Sequence, residues 1–149
     1  MERPVRLLLV EDAPEDVRQF TSAVKENVDI SVASTGAEAL DRLFRRGKFH
    51  DEVIPDVVVI DLNVPILSGH EVLHVIRSNS EIRHLPVIVY SVSDHPDDII
   101  KAYELGACAY MVKPMDLGET RSQLTAFSQF WLTHVRYSMV SNLRTVRHA

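Results

Sequence analysis

Four short apolar runs in this chain are each followed at once by a group that can do chemistry. "LLLV" (7–10) leads into Glu11 and Asp12, "VVVI" (57–60) into Asp61, "VIVY" (87–90) into Ser91, and "AYMV" (109–112) into Lys113. If these runs are neighbouring strands, three carboxylates, a hydroxyl and an ammonium converge on one edge of a sheet. Carboxylates crowded together resist ionisation unless a cation offsets them. Mg2+ is the natural candidate, because it takes hard oxygen ligands and is often completed by phosphate oxygens. A lysine and a hydroxyl beside it point to an anion that arrives and departs. The chemistry these groups support together is phosphoryl transfer to Asp61, giving an aspartyl phosphate held by Mg2+, Lys113 and Ser91.

A second constellation competes. "HEVLH" (70–74) has the His-Glu-x-x-His pattern of zinc proteases. Such a site needs both histidines on a helix face turned into a cleft, with a third ligand downstream. On a helical wheel Val72, Leu73 and Ile76 define the buried face, which leaves His70 and His74 on the side facing water. No Gly-x-x-His continuation follows, so the five residues are expected to be part of an ordinary helix. The remaining histidines show no metal-ligand spacing.

The elements that must position these groups follow from periodicity. The four apolar runs and a weaker one, "ISVA" (30–33), have the length and composition of strands covered on both faces, and in chain order they are β1 (7–10), β2 (30–33), β3 (57–60), β4 (87–90) and β5 (109–112). Between them lie segments with helical spacing: α1 (14–27), α2 (36–47), α3 (68–79), α4 (95–106) and α5 (116–135). Pro14 opens α1 ahead of acidic residues that suit the helix dipole, and Gly47 is expected to stop α2 after a stripe of Ala39, Leu40, Leu43 and Phe44. In α5, Leu117, Leu124, Phe127, Trp131 and Val135 share a stripe flanked by Phe130 and Leu132. Alternation of strand and helix predicts a three-layer α/β sandwich with right-handed crossovers. Its reactive groups should lie beyond the carboxyl ends of the strands.

Composition narrows the class further. The 149 residues suit one domain, expected over 1–135 with a tail over 136–149, and 46% hydrophobic with 25% charged residues is an ordinary globular balance. A net charge of −5 argues against nucleic acid as the main partner, and the scattered Arg136, Arg144 and Arg147 of the tail are expected to be solubilising. The single cysteine, Cys108 in "GACAY", excludes an internal disulfide and is expected to be a small buried filler. With no signal-peptide core and no membrane span, the expected location is cytoplasmic.

The motifs "LLLVED" (7–12), "DLNVPILSG" (61–69), "VIVYS" (87–91) and "GACAYMVKP" (106–114) resemble, in combination, the receiver domain of two-component response regulators, over residues 5 to about 132. The resemblance implies a flavodoxin-like (βα)5 sandwich with a five-stranded parallel sheet of order 2-1-3-4-5. It implies that Asp61 is the phosphoacceptor, that Asp12 and Asp61 ligate Mg2+ directly with Glu11 acting through water, and that the backbone carbonyl of Asn63 adds a ligand. Ser91 would be the switch hydroxyl, Lys113 the phosphate partner, and Tyr110 the aromatic whose rotamer changes with Ser91. Pro114 would follow Lys113 through a cis bond. The donor would be a histidine kinase and the output a change at the α4-β5-α5 face. Val92, after the switch hydroxyl, departs from the small or hydroxyl-bearing residue usual there and is expected to narrow access to the acyl phosphate.

The long α5 ending in "FWL" and the extended "GKFHDEVIPD" before β3 resemble, more narrowly, the stand-alone receivers that pair with bacterial phytochrome kinases. That likeness implies a phytochrome-type kinase and a homodimer through the α4-β5-α5 face. After residue 135 only fourteen residues remain, too few for a helix-turn-helix, so the expected output is protein binding or phosphate relay and not DNA. Two rival readings are a haloacid-dehalogenase phosphatase and a phosphorylation-independent docking module. Asn63 stands where the first needs its second Asp, the general acid, and no cap insert is present. The presence of Asp12, Asp61, Ser91 and Lys113 together disfavours the second.

Overall fold

The two strands covered on both faces carry no charged residue. In the computed structural model, which describes residues 3–24 and 27–138, β3 (Val57–Ile60) and β4 (Val87–Ser91) are buried at every position. β2 (Val28–Ala33) and β5 (Ala109–Val112) are mostly half-buried and form the sheet edges, and β1 (Val5–Val10) is buried from Leu7 onward. All pairings are parallel, in the order β2-β1-β3-β4-β5. The crossovers are α1 (Pro14–Val24), α2 (Gly36–Leu43), α3 (Gly69–Ser78), α4 (Pro96–Glu104) and α5 (Leu117–Gln129).

The pleat sends alternate residues to opposite layers. Leu8, Val10, Val58, Ile60, Val87 and Val89 pack with Ala39, Leu43, Leu73, Ile76 and Ala102 of α2, α3 and α4. Leu7, Leu9, Val57, Val59, Ile88 and Tyr90 pack with Phe20 and Val24 of α1 and Leu124 and Phe127 of α5. Burial of each such aliphatic side chain contributes about 2 kcal/mol, which the ordering of the chain largely offsets.

Helix ends are closed by polar side chains at their starts. Thr35 accepts the Glu38 N–H, Asp116 accepts the Glu119 N–H, and Ser68 forms a capping box with Glu71. α2 stops at Leu43, earlier than its apolar stripe indicated, because Arg45 turns into the left-handed region at φ 55 before Gly47 is reached. α5 also departs from the wheel. It passes into a π-helical turn over Phe130–His134, whose wider turn shifts the phase of the stripe. Leu132 is consequently buried, Trp131 and Val135 are half-buried, Phe130 is exposed, and Leu117, at the first turn, lies outside the core.

Two other expectations are corrected. Cys108 is exposed, since it follows the buried Ala107 at the entry to an edge strand. No peptide bond among the described residues is cis, so Lys113 and Pro114 are joined in trans. Arg144, Arg147 and the rest of 139–149 lie outside the described residues.

The segment joining β3 to α3 is held from two sides. The amides of Gly36 and Ala37, opening α2, donate to the carbonyls of Pro65 and Ile66 at 3.1 and 2.9 Å. Gly69, opening α3, packs so closely on β3 that a Cβ would stand 2.5 Å from the Asp61 carbonyl oxygen. Helix propensity alone favours alanine over glycine by up to about 1 kcal/mol. Gly69→Ala is nevertheless expected to destabilise the fold by about 1–3 kcal/mol, because the backbone of Asp61 and Leu62 must shift. Urea unfolding of the two proteins checks the sign, and a gain in stability would refute this account.

Candidate functional site

Register decides which side chains meet. Val10 pairs with Ile60, Ile60 with Val89, and Ser91 with Val112. β1 thus ends level with β3, and β4 ends level with β5 two residues further on, so that Glu11, Asp61, Ser91 and Lys113 gather at the carboxyl edge. The backbone continues the ladder there: Asp61 N–H donates to the Val10 carbonyl at 3.0 Å, and Lys113 N–H to the Ser91 carbonyl at 2.7 Å.

Lys113 is the centre of the cluster. Its Nζ donates to Glu11 Oε1 at 2.5 Å, Asp16 Oδ2 at 2.7 Å and Asp61 Oδ2 at 2.7 Å, which occupies all three ammonium donors. Its side chain is 9% exposed, and those of Glu11 and Asp61 are 4% and 9% exposed. Asp61 Oδ1 accepts the Asn63 N–H at 3.0 Å, and Glu11 Oε2 accepts the Ala13 N–H at 3.2 Å. Burial works against the Lys113 charge, yet the three carboxylates together hold its pKa above the ordinary value. Glu11 is pushed the other way, up to about 7, first by burial and further by the nearby Asp61 charge, against the pull of Lys113.

Three acidic groups around one ammonium leave the cluster short of positive charge. Carboxylate oxygens of Glu11, Asp16 and Asp61 all lie within 4.8 Å of one another, and this is the metal-competent grouping of acidic, histidine or cysteine side chains among the described residues. Hard oxygen donors at that spacing fit a divalent cation. Asp12 is exposed and stands outside the cluster, while Asn63 is exposed at its rim. Asp16 is the member that sequence reasoning misses, because in the chain it is one more acidic residue at the start of α1. The available signal is that α1 begins three residues after β1, so its first turn lies over the same edge.

Ser91 is fully buried, and its Oγ accepts the Ser93 N–H at 3.3 Å. Tyr110 is half-buried, and its hydroxyl donates to the Ser93 carbonyl at 2.8 Å. Burial raises the Tyr110 pKa, so the hydroxyl stays protonated as a donor. Ser93 Oγ in turn donates to Asp98 of α4 at 2.6 Å. Ser93 alone thus touches Ser91, Tyr110 and α4.

The "HEVLH" residues are spent elsewhere. The Glu71 carboxylate accepts the Ser68 N–H at 3.0 Å, and that bond lowers its pKa. His74 is exposed, as expected. His70 is half-buried and not on open water, because its Nε2 meets the Asp98 carbonyl at 3.2 Å, where α3 and α4 approach.

The same fold recurs in known proteins. Residues 7–125 match the family model described as the response regulator receiver domain. The chain is 30% identical to response regulator Rcp1 of Synechocystis sp. over 135 residues, covering 89% of this chain and 92% of that protein. The crystal structure of the phosphorylated cyanobacterial phytochrome response regulator RcpA superposes with a TM-score of 0.87 at 29% identity, covering 90% of this chain and 98% of that one. The Mn2+-bound form of Rcp1 gives 0.87 at 30% identity, covering 91% and 99%. With its five-stranded sheet and its carboxyl-edge cluster, the chain belongs to the response regulator receiver domain family.

Proposed function

We propose that Asp61 accepts a phosphoryl group from a histidine kinase in a Mg2+-dependent step, and that α4, β5 and α5 carry the resulting signal. The observation that supports this most directly is the buried Asp61 carboxylate, hydrogen-bonded to Lys113 beside two further carboxylates at the carboxyl edge of the sheet. An ionised Asp61 needs no base. One of its oxygens forms the new P–O bond as the P–N bond of a phosphohistidine breaks, and that bonding pair returns to the imidazole. Lys113 Nζ, already on Asp61, can follow the charge onto the phosphoryl oxygens. In this scheme Asp61, Asp12 and the Asn63 carbonyl, with Glu11 through water, would hold Mg2+, which would supply positive charge beside those oxygens. Asp16 is a further candidate ligand, since it stands in the cluster that Asp12 does not reach.

Output follows from the Ser93 stretch. Phosphorylation adds acceptor oxygens that compete for the Ser91 hydroxyl. Turning Ser91 toward them breaks its bond from the Ser93 amide, and the Ser93 carbonyl then no longer holds Tyr110 in place. The shift in population alters the surface of α4 and β5. On α4, Ile100 and Tyr103 are 55% and 49% exposed, and Phe130 beyond α5 is 55% exposed, which supports a homodimer through this face. Likeness to Rcp1 and RcpA supports a phytochrome-type histidine kinase as donor. The scheme places the chain in the cytoplasm as a single receiver domain over 1–135, without DNA or membrane as a partner. The net charge of −5 accords with the lack of a nucleic-acid partner in this scheme.

Incubation with Mg2+ and acetyl phosphate is expected to add one labile phosphoryl group to the native chain and none to Asp61→Asn, by intact mass. With a beryllofluoride analogue, light scattering is expected to show a change in solution mass that Asp61→Asn lacks. A native chain that stays unmodified would remove the phosphoacceptor assignment.

Val92 is 65% exposed and lines the pocket beside Lys113. Its branched side chain crowds the path of hydrolytic water, so Val92→Ala is expected to shorten the lifetime of the aspartyl phosphate by about threefold, near 0.7 kcal/mol of barrier. Unchanged decay would show that access is not limited there.

The Glu11 pKa, raised from 4.5 to about 7, has a consequence for the metal-free chain. Below about pH 4.5 Glu11 is protonated whether the chain is folded or not. Between there and about pH 7 the unfolded chain gives up the proton and the folded one keeps it, so stability falls as pH rises. In excess chelator, Glu11→Gln is expected to lose this component of the pH slope, and thermal melts across the window measure it. Equal slopes for the two proteins would contradict the assigned shift.

A further inference from the structure

We propose that Tyr90 is a positioning residue for cation binding, acting on Asp16 through water held in a pocket behind Lys113. The inference rests on the Mg2+-dependent reading of the site given above, and extends it to a residue on the opposite layer of the sheet.

Tyr90 is the penultimate residue of β4 and points away from Ser91, into the layer of α1 and α5. Every other sheet residue of β1, β3 and β4 buried in that layer is aliphatic: Leu7, Leu9, Val57, Val59 and Ile88. The ring packs on Phe20, with centroids 6.4 Å apart, and a phenylalanine in its place would keep that contact while dispensing with the hydroxyl. The hydroxyl is therefore what needs a cause. Tyr90 is 6% exposed and its Oη has no hydrogen-bond partner among the described residues. A buried hydroxyl left unpaired costs about 1–3 kcal/mol.

The surroundings supply the missing partners. Tyr90 lines a pocket of ≈ 70 Å³ with Asp16, Gln19, Lys113 and Thr120. A water needs only about 10–15 Å³ and two to four polar partners. Thr120 Oγ donates to the Asp116 carbonyl and keeps its lone pairs for acceptance. Lys113 occupies one oxygen of Asp16, and Lys113 Nζ itself lies 5.6 Å from the Tyr90 ring centroid. Burial pushes the Tyr90 hydroxyl up to about 12, so it remains a neutral donor at physiological pH. Water bridging Tyr90 Oη to Asp16 would hold that carboxylate, 35% exposed, in the cation cluster and keep it from swinging into solvent. Outer partners of this kind orient metal-ligating carboxylates.

The test compares the native chain, Tyr90→Phe, Asp16→Asn and the double variant. Mg2+ titration by calorimetry is expected to show about tenfold weaker binding for Tyr90→Phe, the usual effect of losing an outer-shell partner. The double variant is expected to bind no more weakly than Asp16→Asn alone, because Tyr90 acts through Asp16. In excess chelator, Tyr90→Phe is expected to unfold at lower urea than the native chain, since a satisfied hydroxyl is lost. Native-like Mg2+ affinity in Tyr90→Phe, additive losses in the double variant, or a Tyr90→Phe protein more stable than native would each overturn the proposal. If the native chain itself binds no Mg2+, the metal-dependent reading of the site falls and takes this inference with it. If it binds and Tyr90→Phe binds equally well, only the role of Tyr90 is lost.

Discussion

One ammonium group shared by three carboxylates is the constraint around which this molecule is arranged. Lys113 reaches Glu11 from β1, Asp16 from α1 and Asp61 from β3 while standing just beyond β5 itself. Strands at the centre and at the edge of the sheet, and a helix covering one face, are thereby joined at a single atom. Removing the lysine would leave buried carboxylates uncompensated, a far larger penalty than the loss of an exposed ion pair. The arrangement stays short of positive charge, and its clustered oxygen donors fit a divalent cation.

Holding such groups requires a rigid edge, and the chain spends conformational strain to obtain it. Ile66 and Leu67 sit at φ 47 and 76, in the left-handed region that a β-branched residue seldom adopts. The amides opening α2 bond the carbonyls of Pro65 and Ile66 and so hold that turn. Gly36 and Gly69 allow the close approach, since a Cβ at Gly36 would stand 2.2 Å from the Leu67 carbonyl oxygen. Strain of this kind persists only where the surrounding structure over-determines it. Here it lies five and six residues beyond Asp61, in the loop that presents it.

The opposite side of the site is held by side chains. The Ser93 stretch rests on exchangeable side-chain bonds to Ser91, Tyr110 and Asp98, whereas the Asp61 loop rests on backbone bonds and close packing. His70 reaches the Asp98 carbonyl from α3 and ties the two sides together. "HEVLH", which in isolation reads as a catalytic motif, is instead a capping glutamate and a helix-bridging histidine. The difference lies in what Ser68 and Asp98 offer those side chains.

Much of this was legible in the chain itself. Apolar runs of four residues, each ended by Glu11, Asp61, Ser91 or Lys113, require a parallel sheet whose reactive groups share an edge, because strand pleat and right-handed crossover leave few alternatives. What needed the tertiary structure were facts of phase and distance. A π turn after Gln129 moved Leu132 into the core and Phe130 out of it, and no periodicity of 3.6 can foresee an inserted residue. Cys108 in an apolar-looking stretch came out exposed because β5 is an edge strand. Asp16, in the first turn of α1, entered the cluster, and Asp12 stayed outside it. Residue type and order along the chain determined which groups would gather. Which carboxylate faces the lysine is set by side-chain direction, and only packed neighbours fix that.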